Sequence, residues 1–320
     1  MAFDPNLLVR NRVFGAKLEA TTGVVVTPGS SDCQLFSAVF DPKITPDIKP
    51  NVRQGQQYLS KLLTIPGARA GKATFRTEFF STAGAPAWAS LLLPACGLGP
   101  GTSSPFSPFT PTPASPINTI SIGLFQAGRL KLLAGCAGDF VIRAQAGNPI
   151  YFEWTFDGVW QSPSTTAIPG GITYPTTIPP RFAGVTVTVG GQSMRFPNFE
   201  FHSGNKLYLR QDQSAVDSAS TPVGTGFRGG IVTDREPLIR IAPESYLLST
   251  LDFFAAHTAQ TTYNFAFTAG PAGNQLQFSA PKAQLNNPPQ DEDREGVMAD
   301  TLEFIATRTS GDDDYSLTFN

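Results

Sequence analysis

Histidine is almost missing from this chain: its 320 residues include only His202 and His257. Most acid–base, nucleophilic and metal chemistry therefore lacks its usual residue. Both histidines border predicted core positions, where a structural role is the expectation. Cysteine is nearly as scarce. Cys33, Cys96 and Cys136 are an odd number with no Cys-x-x-Cys pair, which leaves no zinc spacing. Three buried, free thiols in a reducing compartment are expected. Charged residues are 15% of the chain, against about 25% in typical globular proteins. The formal net charge of −2 lacks the basic excess of a nucleic-acid binder. No apolar run nears the ~18 residues of a membrane-spanning helix. Met1–Arg12 carries no basic segment followed by an apolar stretch, so no secretory leader is expected.

Phenylalanine, glycine and proline are plentiful, at 25, 30 and 28 residues. Aromatic side chains suit the pleated, half-buried surface of a sheet, and period-two alternation recurs along the chain. It marks Ala73–Phe79, Ile150–Phe156, Gly184–Gly190, Leu207–Leu209, Leu238–Ile241, Tyr263–Phe267 and Gln275–Phe278 as strands. Helix signals are few. Ala85–Leu93 is one, with Pro86 suited to its first turn and Pro94 and Gly97 to its end. Pro243–Ala256 is the other. The stretch Gly99–Pro116 reads as a long Pro/Ser/Thr loop.

Length alone favours about two domains. Ser162–Pro180 reads as a semi-rigid Pro/Thr/Gly linker, which divides the chain into residues 1–161, 162–180 and 181–320. The two halves look like one pattern used twice. Lys17-Leu-Glu19 before Gly23 matches Asn198-Phe-Glu200 before Gly204. Strand 73–80 and helix 85–93 match strand 237–241 and helix 243–256. Hairpin Ile120–Leu133, turning near Gln126–Gly128, matches Thr262–Phe278, turning near Gly270–Gly273. Strand Tyr151–Phe156 matches Thr301–Ile305.

The sparse charge is unevenly spread. Residues 291–320 hold nine acids (Asp291, Glu292, Asp293, Glu295, Asp300, Glu303, Asp312, Asp313 and Asp314) against Arg294 and Arg308. The rest of the chain has sixteen acids and twenty-one bases. Such a run reads as a solvated loop and tail. The functional alternative is an acidic surface that repels a polyanion or docks on a basic neighbour.

Three stretches resemble phage tail tube (major tail) proteins of long-tailed bacteriophages: Arg12–Gly23, Thr77–Gly97 and Ala137–Gly158, with Arg235–Ile239, Ala280–Gln284 and Asp293–Gly296 in the second half. The likeness lies in their order along most of the chain. It implies a mainly β fold: β-sandwiches, each flanked by one short helix, six to a ring, with the rings stacked into a tube. The tube's inner wall is a continuous β-barrel through which double-stranded DNA passes. A chain with two such units in tandem implies a homotrimeric, pseudo-hexameric ring.

The resemblance further implies tape-measure, tail-tip and tail-terminator partners. It implies no cofactor, metal, membrane or enzymatic activity, and a virion location after assembly in the host cytoplasm. A basic wall would hold DNA through counterion release, so the carboxylates Glu153, Glu303, Asp291, Glu292, Asp293 and Glu295 are candidate lumen residues. Each half has a long polar segment, Asp47–Arg69 and Gln211–Arg235. Loops of that length in a compact domain are usually functional, and tube proteins use such a loop to reach a neighbouring subunit or ring. Arg53, Tyr58, Arg69, Arg228 and Arg235 are thus candidate contacts, in keeping with arginine's enrichment at interface cores.

Other readings compete. Glu78, Glu153, Glu200 and Glu303 lie in predicted strands, where a glycosidase could pair two carboxylates, although no spacing marks such a pair. Trp88, Trp154 and Trp160 could stack on sugars in a carbohydrate-binding module. A tail terminator or a capsid decoration protein would share the sandwich.

Overall fold

Period-two alternation becomes strand almost everywhere in a computed structural model, which describes residues 8–36, 38–53, 60–82, 84–99, 105–219 and 222–320. The first half holds β1 (Arg12–Leu18), α1 (Ser30–Cys33), β2 (Val39–Asn51), β3 (Ile65–Glu78), α2 (Ala87–Ala95), β4 (Ile120–Gln126), β5 (Arg129–Gln145), β6 (Tyr151–Trp160) and β7 (Ser164–Thr165). There follow β8 (Val187–Val189), β9 (Gln192–Met194), β10 (Asn198–His202), β11 (Asn205–Gln211), β12 (Phe227–Arg235), β13 (Leu238–Ile241) and α3 (Phe253–Thr258). The chain ends with β14 (Thr262–Ala269), β15 (Leu276–Leu285), β16 (Gln290–Arg294), β17 (Val297–Ala306) and β18 (Ser316–Phe319).

The fold is mainly β, as expected, but one sheet of sixteen antiparallel strands runs through both halves, and the described strands close no barrel. In the first half the pairing order is β1-β4-β5-β6-β3-β2. In the second it is β8-β14-β15-β17-β13-β10. The same ladder order therefore occurs twice. It replaces one sequence match: β10, which holds Glu200, corresponds to β2, whereas the strand leading to Glu19 corresponds to β8. Glycine after a strand is too common a signal to fix such a register.

The halves join where β10 pairs with the end of β5, Phe199 opposite Ala144 and Phe201 opposite Ile142. Beyond Gly204 the chain leaves the sheet as a separate β11–β12 hairpin. This arm lies over β5 and β6, with β12 also touching β3. Two glycines set how closely it docks. Gly23, at φ +78°, would place a Cβ 1.8 Å from the Arg228 carbonyl oxygen, and Gly135, at φ +58°, would place one 2.6 Å from Gly229 Cα. Only glycine fits both the left-handed backbone and that approach.

The core is aromatic. Phe14, Phe75, Phe152, Trp154 and Phe156 stack beneath α2, whose Trp88, Leu92 and Leu93 are fully buried. A helix apolar on every side belongs inside. Pro94 does not end this helix as expected but sits in its last turn, and left-handed Gly97 follows. The ring is tolerated because only the helix's final bonds are lost there. The Ala127-Gly128 turn is left-handed at both residues, as a two-residue hairpin requires.

Two segments depart from expectation, the second helix and the acidic terminus. The helix expected over 243–256 begins only at Phe253, capped by Asp252, whose carboxylate accepts the Ala255 N–H at 2.8 Å. Residues 243–245 are instead claimed by β17: the Asp300 N–H donates to the Pro243 carbonyl at 2.9 Å and the Ser245 N–H to the Met298 carbonyl at 3.0 Å. The acidic terminus is folded rather than a solvated tail. β18 pairs with β15, and Tyr315, Leu317 and Phe319 are buried. The Gly99–Pro116 loop sends Phe106 into the same core, 5.7 Å from Phe319, with backbone bonds to Leu317. The segment 162–180 is laid down on its neighbours: β7 pairs with β5, and Ile168 and Ile172 pack on Phe125, Leu130 and Leu132.

All three cysteines are free and buried. Burial, then Asp32, raises the Cys33 thiol to about 11, and burial holds Cys96 and Cys136 well above the usual thiol range. The folded protein is therefore expected to resist a thiol reagent at pH 8 and to release three reactive groups only on unfolding, as read by stopped-flow labelling. Gly23→Ala is expected to cost about 1–3 kcal/mol through overpacking. Amide exchange should quicken across residues 205–235 and stay unchanged in β14 and β15.

Candidate functional site

Successive strands of the sheet carry charges of alternating sign on one face. Directly opposite one another stand Arg76 and Glu153, Arg143 and Glu200, Glu200 and Arg240, and Arg240 and Glu303. The contacts follow the register. Arg143 reaches Glu200 at 2.5 Å and, diagonally, Glu153 at 2.7 Å, and Arg240 reaches Glu303 at 2.6 Å. Arg76 bonds Asp41 at 2.8 Å and lies 3.9 Å from Glu153, while His202 Nε2 lies 3.0 Å from Glu200. Asn286 also donates to Glu303, at 2.7 Å. That bond, opposed by burial and aided by Arg240, holds the Glu303 carboxyl below its ordinary value.

Half-exposed pairs of this kind contribute little stability each. What they produce is a charged row running from β2 to β17 in which every guanidinium already has a carboxylate. Glu153 and Glu303 occupy matching places in the two ladders, each opposite an arginine. The other expected lumen acids, Asp291, Glu292, Asp293 and Glu295, are exposed on the β16–β17 hairpin. That hairpin turns at Glu295-Gly296, both left-handed.

The expected contact residues divide into two groups. Arg69 and Arg235 are occupied within the chain. Arg69 bonds Asp217 at 2.8 Å and Ser162 at 2.8 Å, and its N–H donates to the Thr225 carbonyl at 2.7 Å, so it fastens the tip of the arm. Asp217 has no exposed side chain. Burial raises its carboxyl, but the Ser162 hydroxyl, the Val223 and Ala219 N–H groups and Arg69 outweigh that and leave it lowered. Arg235 bonds Asp312 and Asp314 at 3.1 and 3.0 Å. Arg53 and Arg228 are exposed, and Tyr58 lies outside the described residues.

Sequence reasoning missed Glu19. Its buried carboxylate accepts from Thr119 and Ser121 hydroxyls and from the Gly23 and Gly135 N–H groups, between 2.6 and 2.9 Å. It thereby shapes both glycine turns against which the arm rests. It also missed Asp217, which looks like any loop acid until the arm folds over.

The competing site readings lose their geometry. Trp88, Trp154 and Trp160 are buried and offer no stacking face. Glu153, Glu200 and Glu303 are each engaged by a guanidinium, and Glu78, whose carboxyl burial raises, stands apart from those ion pairs.

Comparison with known families matches residues 10–306 to the family described as phage tail tube protein. No curated protein matches the chain.

Arg69→Met leaves the Asp217 carboxylate buried without its cation, a change expected to cost about 3 kcal/mol at pH 7. Because the Asp217 carboxyl is lowered from 3.8, its contribution is present above that value and is lost as the pH falls through its native value. The gap between variant and wild type should therefore narrow below pH 3.8, as measured by urea unfolding across a pH series.

Proposed function

The chain belongs to the phage tail tube protein family, and on that premise we propose that three copies form a ring and that rings stack into the tube of a virion. The observation that carries this reading is the ladder order used twice in one chain. Two tube-type units per chain supply six positions from three chains. Cyclic closure gives the ring, and head-to-tail stacking gives an open filament. The protein is structural, located in the phage tail after assembly in the host cytoplasm. Its partners are its own copies and the tape-measure, tail-tip and tail-terminator proteins that bound such a tube.

Double-stranded DNA passes through the channel without being held. The charged row supports this role. Polyanion binding draws on free cations that release counterions from phosphate, and Arg76, Arg143 and Arg240 are already matched by carboxylates. Glu153 and Glu303, with Asp291, Glu292, Asp293 and Glu295, line the lumen or its rim. Arg53 and Arg228, exposed and outside the internal ion pairs of Arg69 and Arg235, contact neighbouring copies or rings.

Negative-stain microscopy of the concentrated protein, with its mass by light scattering, tests the reading. Rings or tubes of uniform bore, with a unit of three chains, are expected. Arg53→Glu with Arg228→Glu should shorten or abolish the tubes while the melting temperature stays within about 2 °C, since surface substitutions change stability little. A protein that stays monomeric even with preformed tail tips added would sink the proposal.

A further inference from the structure

β5 is longer than its hairpin partner. β4 pairs with it only as far as Cys136, and the surplus Val141–Gln145 edge is taken by β10. The seam is completed by Ser203, whose hydroxyl donates to Asp139 and whose N–H donates to the Phe140 carbonyl at 3.0 Å. Immediately beyond, the β11–β12 arm covers the first half. One half thus offers a strand edge, and the other supplies a strand and an arm.

The registers identify the counterparts of these parts at the outer ends of the chain. Glu153 opposite Arg76 opposite Phe40 corresponds to Glu303 opposite Arg240 opposite Glu200. Two residues earlier, Tyr151 is opposite Arg143 and Thr301 is opposite Gln290. β16 therefore occupies the place of the Val141–Gln145 edge, and the start of β2 occupies the place of β10. Each has a single partner among the described strands, β17 for β16 and β3 for β2. The far end of the β2–β3 hairpin occupies the place of the arm. Its described residues expose four apolar side chains beside Arg53 and Lys61: Val52 is 57% exposed, Leu62 47%, Leu63 88% and Ile65 51%.

We propose that β16 of one copy pairs antiparallel with the start of β2 of the next, with Gln290 opposite Phe40 and Asp291 opposite Val39. The far end of that same β2–β3 hairpin lies over β15 and β17 of the first copy. The occupant is a second copy of this chain, because the molecule carries both unfilled halves of a joint whose filled form it already contains between β5 and β10. Unpaired strand edges invite such strand addition, and the joint is head-to-tail within one layer, a contact that closes a ring when its rotation completes a full turn in three copies. This assignment rests on the tube reading and names the surfaces by which the ring forms.

Phe40→Cys combined with Gln290→Cys tests it, against a background of three buried thiols. After mild oxidation of assembled protein, non-reducing electrophoresis should show covalent multimers up to a closed trimer. Either single variant should give less than a tenth of that yield. Leu62→Asp with Leu63→Asp should abolish rings and leave the circular dichroism and melting curve of the monomer unchanged. Rings that form normally while the double-cysteine chain stays uncrosslinked overturn the edge assignment alone. Failure of both the wild-type chain and the double-cysteine chain to form rings or crosslinks overturns the tube reading and this inference together.

Discussion

The fold depends on one requirement, that the backbone donors and acceptors along a strand edge find partners. β5 is a 17-residue strand, and its hairpin partner β4 satisfies only part of its length. The remainder would stand open were β10 not placed against it. That single pairing turns two ladders into one sheet. It also places Glu200 beside Arg143, and it aims the chain beyond Gly204 across the first half. The arm, the charged row and the shared core all follow from where β10 lies.

The same economy explains the glycines and the buried acids. An arm held by backbone contact needs bare backbone on both sides, hence Gly23 and Gly135 facing Arg228 and Gly229. Turns that tight need their N–H groups satisfied, and the Glu19 carboxylate does this from below. At the far end Asp217 and Arg69 close the clasp. The arm is thus fixed at one end by charge, in the middle by glycine and at its root by a sheet ladder.

Strand identity was legible in the residues, because alternation is a local property. The hairpin at Ala127-Gly128, the long strand from Tyr151 and the helix around Trp88 all stand close to where the pattern puts them. Pro243 and Glu244 read as the start of the second helix, because only β17, more than fifty residues away, claims that backbone. The acidic terminus reads as a tail because its charges dominate the composition. Its fold is decided by three intervening apolar residues, Tyr315, Leu317 and Phe319, which find a slot built by other segments.

The candidate site divides along the same line. The residues alone determined a strand-rich, charge-poor chain, and they singled out Glu153 and Glu303 and the arginines of the two long segments. Tertiary structure alone decided which arginine meets which acid, because opposite partners depend on register, and a slip of one residue turns every side chain to the other face. It also decided that Arg69 and Arg235 serve their own chain while Arg53 and Arg228 are left exposed. Sign and spacing are written locally; the distance between two charges exists only after the strands have paired.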